Sequence, residues 1–119
     1  AMPVRSALRE LADCNLVTIR PRVGFFVRDY SLEELKQLSV CRRMYETFCL
    51  ENFFSSLKID ELKDLYKSIV ENIGDNFSEN IYVRDELRIH SSLVLASNND
   101  FMINQYSRVN SLFSLGMHF

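Results

Sequence analysis

MPVRSALRELADCNLVTIRPRVGFFV, residues 2–27, is the stretch on which the reading of this chain turns. Val4, Ala7, Leu8 and Leu11 recur at helical spacing, and Pro3 suits a first helical turn because its missing N–H has no partner to lose there. Asn15 is a natural stop, since asparagine tolerates the left-handed conformation that ends helices. Leu16 to Arg20 is short, β-branched and alternating, which predicts a strand. Pro21-Arg22-Val23-Gly24 is the turn, with Pro21 fixing one torsion and Gly24 allowing positive φ. Phe25 to Arg28 returns as the second strand. A helix bearing Arg5 and Arg9, followed by a hairpin bearing Arg20, Arg22 and Arg28, is suited to a DNA groove and its flanking phosphates.

Charge distribution agrees with this division. The net charge of the 119 residues is only −2, but residues 1–28 hold five Arg against Glu10 and Asp13, while residues 29–119 hold nine basic and fourteen acidic side chains. A basic head on an acidic body is the asymmetry of a nucleic-acid-reading module joined to a module that does other work. A solvated basic patch of this size is the competing explanation. Apolar residues make up 47% of the chain, enough for a core. No apolar run approaches the ~20 residues needed to cross a bilayer, and no signal peptide is expected. Cys14, Cys41 and Cys49 lack paired spacing; Cys41 and Cys49, ~12 Å apart along one helix, cannot bridge within it. All three are expected as buried thiols in a reducing cytoplasm.

The body is expected to be helical. Ser31 with Glu34 forms a capping box that opens a long helix ending near Ser56, with Leu35, Leu38, Cys41, Tyr45, Phe48 and Cys49 on one face. A second helix spans Ile59 to Ile73 with Leu62, Leu65, Tyr66 and Ile69 inward, stopped by Gly74-Asp75-Asn76. A third spans Glu79 to Ser97, with Tyr82, Val83, Leu87, His90, Leu93 and Val94 facing in. Asn98-Asn99-Asp100 is a loop and cap for a fourth that runs from Phe101 through Ile103, Tyr106, Val109, Leu112 and Phe113. The aromatics Tyr45, Phe48, Phe53, Phe54, Phe101 and Tyr106 are expected in the core or a dimer contact. There are no internal repeats and no Gly/Ser linker, so Asp29-Tyr30 is the junction between the two parts.

Taken together, Pro3-Val4-Arg5, Ala7-Leu8, the apolar strand Leu16 to Ile19, Arg20-Pro21-Arg22 and Gly24-Phe25-Phe26-Val27 resemble the GntR family of bacterial transcription regulators, in its FadR-like branch. The body resembles the start of the FCD effector-binding domain through the S-L-E-E-L helix start at Ser31 to Leu35, Arg42 with Glu46, and Glu86-x-x-x-His90 running into Ser97-Asn98-Asn99. The resemblance implies a mainly α chain: the C-terminal half of a winged helix-turn-helix in residues 1–29, then part of an all-α FCD helical bundle in residues 30–119, truncated at both ends. It implies a recognition helix followed by a wing, with Arg5, Arg9, Arg20, Arg22 and Gly24 toward a pseudopalindromic operator. It also implies a cytoplasmic homodimer, usually a repressor, that senses a small carboxylate effector and makes no membrane contact.

The resemblance further implies a divalent metal, zinc or nickel, on Glu86 and His90, with two later histidines that lie beyond residue 119; His118 falls too early to be one of them. The acid is Glu86 rather than the family's usual Asp, although Asp85 is adjacent, and Ile89 replaces the usual aromatic. Two ligands alone hold an ion poorly, so this chain by itself is not expected to bind metal well. Structurally, Glu86 and His90 can instead form an ordinary i,i+4 pair, or His90 can be a hydrogen-bonded core histidine. Arg42 likewise either reaches an effector carboxylate or forms a salt bridge with Glu46. Catalysis finds no support: G-x-S-x-G, H-E-x-x-H and C-x-x-C are all absent from the sequence, and a Cys–His nucleophile has no favourable spacing. The alternative to a DNA-binding regulator is a helical ligand-binding or dimerisation module without DNA contact.

Overall fold

A computed structural model describes residues 2–118. The order of elements is α1 (Met2–Asp13), β1 (Val17–Arg20), β2 (Gly24–Val27), α2 (Leu32–Phe53), a 3-10 turn at Phe54–Ser56, α3 (Ile59–Asn72), α4 (Glu79–Leu95) and α5 (Asp100–His118). The fold is mainly helical with one small antiparallel sheet. Among the described residues no helix is long and apolar enough to cross a membrane.

The head is built from local signals. Asn15 adopts φ 64°. Its N–H bonds to the Ala12 carbonyl at 3.0 Å, and the Leu16 N–H reaches back to the Leu11 carbonyl at 2.9 Å. These two bonds are a Schellman stop, which satisfies carbonyls the helix would leave bare. The hairpin pairs Val17 with Val27 and Arg20 with Gly24, so the return strand begins one residue earlier than its apolar run suggests. The turn needs positive φ twice, at Arg22 (65°) as well as Gly24 (143°). The second lies in a region that only glycine occupies readily. The apolar residues Val4, Ala7 and Leu11 of α1 stay exposed.

The capping box forms as expected. The Glu34 N–H donates to Ser31 Oγ at 3.1 Å, and the Ser31 N–H donates to Glu34 Oε2 at 3.2 Å. Glu34 also accepts from Arg28 at 3.3 Å, tying the end of the hairpin to the first body helix. In the body, α2, α4 and α5 pack mutually around Cys49, Val94 and Tyr106, with Tyr45, Phe53, Met102 and Ile103 against them. Tyr45 and Tyr106 meet edge to face at 5.9 Å, the geometry that the ring quadrupoles favour. Helix α3 packs on α4 and buries no residue fully.

The inward face of α2 differs from the apolar count. Arg42, Glu46 and Cys49 are its buried residues, whereas Cys41 and Phe48 are exposed. Cys49 is common to the expected and observed faces, and Leu35, Leu38 and Tyr45 stay half-buried, so the inward face is shifted by roughly 60°, less than the ~100° of one residue. The reason is a set of polar partners on α4 and α5 that only the tertiary fold supplies. Tyr66 is likewise exposed, as are Phe54 and Phe101. Of the three cysteines only Cys49 is buried; Cys14 and Cys41 are exposed. Helix α3 ends at Asn72, where the Ile73 backbone turns extended (ψ 91°), and the Asn72 side chain brackets Ser78. Its Nδ2 donates to the Ser78 carbonyl at 2.9 Å, and its Oδ1 accepts from the Ser78 N–H at 3.0 Å.

Candidate functional site

Helices α2 and α4 and the end of α5 enclose an open cleft of about 600 Å³, and Arg42, Glu46, Glu86, His90 and Phe113 line it. Three of the residues picked out in the sequence, Arg42, Glu86 and His90, therefore meet in one place. Glu86 and His90 share a face of α4 because they are one turn apart. Arg42 arrives from α2 with its guanidinium carbon 4.6 Å above the Phe113 ring. Its Nε donates to Glu46 Oε2 at 3.1 Å, and one terminal nitrogen lies 3.7 Å from Glu86 Oε1. The two roles considered for Arg42 thus coexist: it is salt-bridged to Glu46, and it lines the cleft.

Glu46 is the centre of the network, and the sequence reading treated it only as a partner for Arg42. Its Oε2 also accepts the Tyr106 hydroxyl at 3.0 Å, and its Oε1 is in close hydrogen-bond contact with His90 Nδ1. Burial pushes the Glu46 carboxyl up. The bond and charge of His90, the Tyr106 hydroxyl and Arg42 outweigh that, so the net displacement is downward. Tyr106 moves the other way: burial and the Glu46 carboxylate both raise its hydroxyl. No local pattern signals Glu46, because His90 and Tyr106 lie 44 and 60 residues away in sequence.

His90 is half-buried and pairs with Glu46 rather than with Glu86. In the neutral ring, an Nδ1–H facing the Glu46 carboxylate leaves the lone pair on Nε2, the nitrogen then open to an ion; in the charged ring both nitrogens carry hydrogens and neither can ligate. Glu86 and His90, one turn apart on α4 and both in the cleft lining, are residue types that can ligate a divalent ion. Among the described residues no group of three or more His, Cys, Asp or Glu side chains is arranged to hold an ion. The His118 side chain lies outside the described residues. Asp85 is directed elsewhere. It is 1% exposed and accepts from Ser68 Oγ of α3 at 2.5 Å and from Arg84 Nε at 3.2 Å. The Ser68 bond lowers its carboxyl, and Arg84 adds to this against the opposing effect of burial. Asp85 fastens α3 to α4 and takes no part in the cleft.

The basic head forms a second candidate surface. Arg5 and Arg9 lie on one face of α1, one turn apart, and both are exposed. Arg22 is exposed at the turn, while Arg20 stacks on Phe26 at 4.5 Å. Arg28 is committed to the body through Glu34 and to the Tyr30 ring at 4.7 Å. Two bonds fasten the C-terminal end of α1: Arg108 of α5 donates to the Asp13 carbonyl at 2.9 Å, and the Tyr30 hydroxyl donates to the Asn15 carbonyl at 2.8 Å. Helix α5 therefore touches both the cleft, through Phe113, and the end of the arginine-bearing helix. No family model matches this sequence, and no curated protein sequence is similar to it.

Proposed function

We propose that this chain is part of a DNA-binding transcription regulator of the GntR type, a repressor that responds to a small organic acid. The observation that carries the reading is the span of α5, which contacts the cleft of Arg42, Glu46, Glu86 and His90 at one point and the end of α1 at another. The arrangement gives each part a role. Arg5 and Arg9 on α1 meet base edges in the major groove, and Arg20, Arg22 and the Gly24 backbone meet phosphate. In the cleft the Arg42 guanidinium, with five donors not exhausted by Glu46, receives the effector carboxylate. Glu86 and His90 are the side chains that would hold a divalent metal, which when bound would add positive charge beside that carboxylate. Glu46 holds the His90 ring in the ligating tautomer.

Regulation follows from two states. An effector that binds one arrangement of α2, α4 and α5 better than the other shifts the population toward it. Arg108 carries the change to the Asp13 end of α1, and in a dimer this alters the spacing of two recognition helices on a pseudopalindrome. The competing reading, a helical ligand-binding or dimerisation module, leaves the exposed Arg5, Arg9 and Arg22 without a task. In vitro selection from a random duplex pool by the full-length protein tests the proposal. Enrichment of an inverted repeat is expected; a pool that stays random after repeated rounds at physiological salt would overturn it.

A further inference from the structure

At Gly116, helix α5 lies closer to the junction of head and body than a side chain would allow. A Cβ placed there would overlap the Leu35 Cδ2 methyl and touch Tyr30 Cβ and Cδ2 at 3.4 Å. Alanine is the better helix former, so a glycine inside α5 weakens the helix, and the close approach it permits accounts for it. Tyr30 and Leu35 hold the positions just before the Ser31 cap and four residues after it. Side chains at these two places fix the angle at which a chain enters a helix. Tyr30 also reaches the other way. Its hydroxyl donates at 2.8 Å to the carbonyl of Asn15, the left-handed residue that ends α1. The Arg28 guanidinium lies 4.7 Å from its ring centre and bonds Glu34 of α2 at 3.3 Å. Farther back on α5, Arg108 donates to the Asp13 carbonyl at 2.9 Å. Both acceptors at the end of α1 are backbone carbonyls, so the body grips the main chain of the head and not a mobile side chain.

We infer that Tyr30, Leu35 and Gly116 form a socket that holds the head, residues 2–28, at one angle on the helical body, with Tyr30 as the strut between α5 and the end of α1. The two parts then turn together, where parts joined by few contacts swing on their connection. Phe113, against which Arg42 stacks in the cleft, is one turn from Gly116. A displacement of α5 at the cleft is therefore delivered at the socket and not absorbed by slack in the junction. The inference stands on contacts that the chain makes with itself, and it holds whether or not the head reads DNA.

Double electron–electron resonance on the full-length protein tests the socket. One spin label goes on Val23→Cys, at a position 70% exposed in the hairpin turn, and the other on the exposed Cys41 of α2, in a Cys14→Ser background. Dilution with unlabelled protein restricts the reading to distances within one chain. A single narrow distance is expected. Gly116→Ala should displace it, and Gly116→Val should displace or broaden it further, because the branched methyls also meet Tyr30. Leu35→Ala added to Gly116→Ala removes the overlapping methyl and should restore the narrow distance, which a general loss of packing would not permit. Tyr30→Phe keeps the ring, loses the bond to Asn15 and should broaden the distance with helix content by circular dichroism unchanged. A broad distribution before any substitution, a distance unmoved by both glycine substitutions, or a Leu35→Ala change that restores nothing would each overturn the socket. Selection of an inverted repeat by a protein that fails these tests would leave the DNA reading standing. A protein that passes them and selects no sequence would keep the socket and lose that reading.

Discussion

Replacing Glu46 is expected to be the most damaging single change to the body. Its carboxylate accepts from the Arg42 guanidinium and the Tyr106 hydroxyl and contacts His90. Arg42 is 8% exposed and Tyr106 is 2% exposed, so neither can turn to water without opening the bundle. In Glu46→Ala, Arg42 keeps Glu86 at 3.7 Å and the face of Phe113 at 4.6 Å but loses its closest carboxylate, and the Tyr106 hydroxyl loses its acceptor. Removing one partner of a buried ion pair costs ~3–5 kcal/mol, and stranding a buried hydroxyl ~1–3 kcal/mol. The two share a site and do not add, so ~3–5 kcal/mol is expected in total. That is a large share of the ~5–15 kcal/mol that holds a typical domain. Glu46→Gln keeps one acceptor oxygen and should lose less, ~1–3 kcal/mol. Urea denaturation followed by circular dichroism measures both. The sign with pH follows from the lowered Glu46 carboxyl. A group whose folded value lies below its unfolded value stabilises the fold above the ordinary carboxylate range, and that contribution is lost as pH falls through the folded value. Wild-type protein should therefore weaken on acidification and Glu46→Gln less steeply, with Asp85, lowered in the same sense, supplying the remaining slope. A Glu46→Ala loss under ~1 kcal/mol, or equal losses for Ala and Gln, would refute the central place given to this carboxylate.

Other expectations are simpler to read. Maleimide should label Cys14 and Cys41 in the folded chain and Cys49 only after denaturation, counted by mass spectrometry, since Cys49 is buried and burial raises its thiol. Gly24→Ala forces a Cβ onto φ 143° and should cost ~1–3 kcal/mol, lost first from the two-strand hairpin and visible as weakened amide protection there. In the full-length protein, His90→Ala should lower zinc content by elemental analysis while leaving effector-free DNA binding intact; unchanged metal content would return His90 to its structural bond with Glu46.

The parts of the fold legible in the sequence are those decided within a few residues. Asn15 ends α1, Ser31 and Glu34 open α2, Asn99 caps α5 by accepting from the Met102 N–H at 3.0 Å, and Arg20 and Gly24 frame the turn. Each depends on a backbone conformation or a bond that spans at most five positions. The inward polar stripe was not legible. A pattern count treats Cys41 as core and Arg42 as surface, because charge is costly to bury alone. Arg42, Glu46 and Asp85 are buried because Tyr106, His90, Phe113 and Ser68 arrive from other helices. The cleft was half legible for the same reason. The one-turn spacing of Glu86 and His90 put them on a common face, but nothing local indicated that Glu46 would hold the ring.

The most direct test of the regulator reading is a fluorescence-anisotropy titration of the selected inverted-repeat duplex with full-length wild-type protein and Arg5→Ala at physiological salt. Arg5 is exposed on α1 and makes no hydrogen bond, ion pair or ring contact among the described residues, so its loss should leave folding unchanged. If α1 reads base edges, Arg5→Ala weakens binding by ~1–3 kcal/mol, roughly five- to a hundred-and-fifty-fold, and relaxes preference at the contacted base. Equal affinity and unchanged preference in a folded Arg5→Ala dimer would contradict the assignment of α1 as the recognition helix.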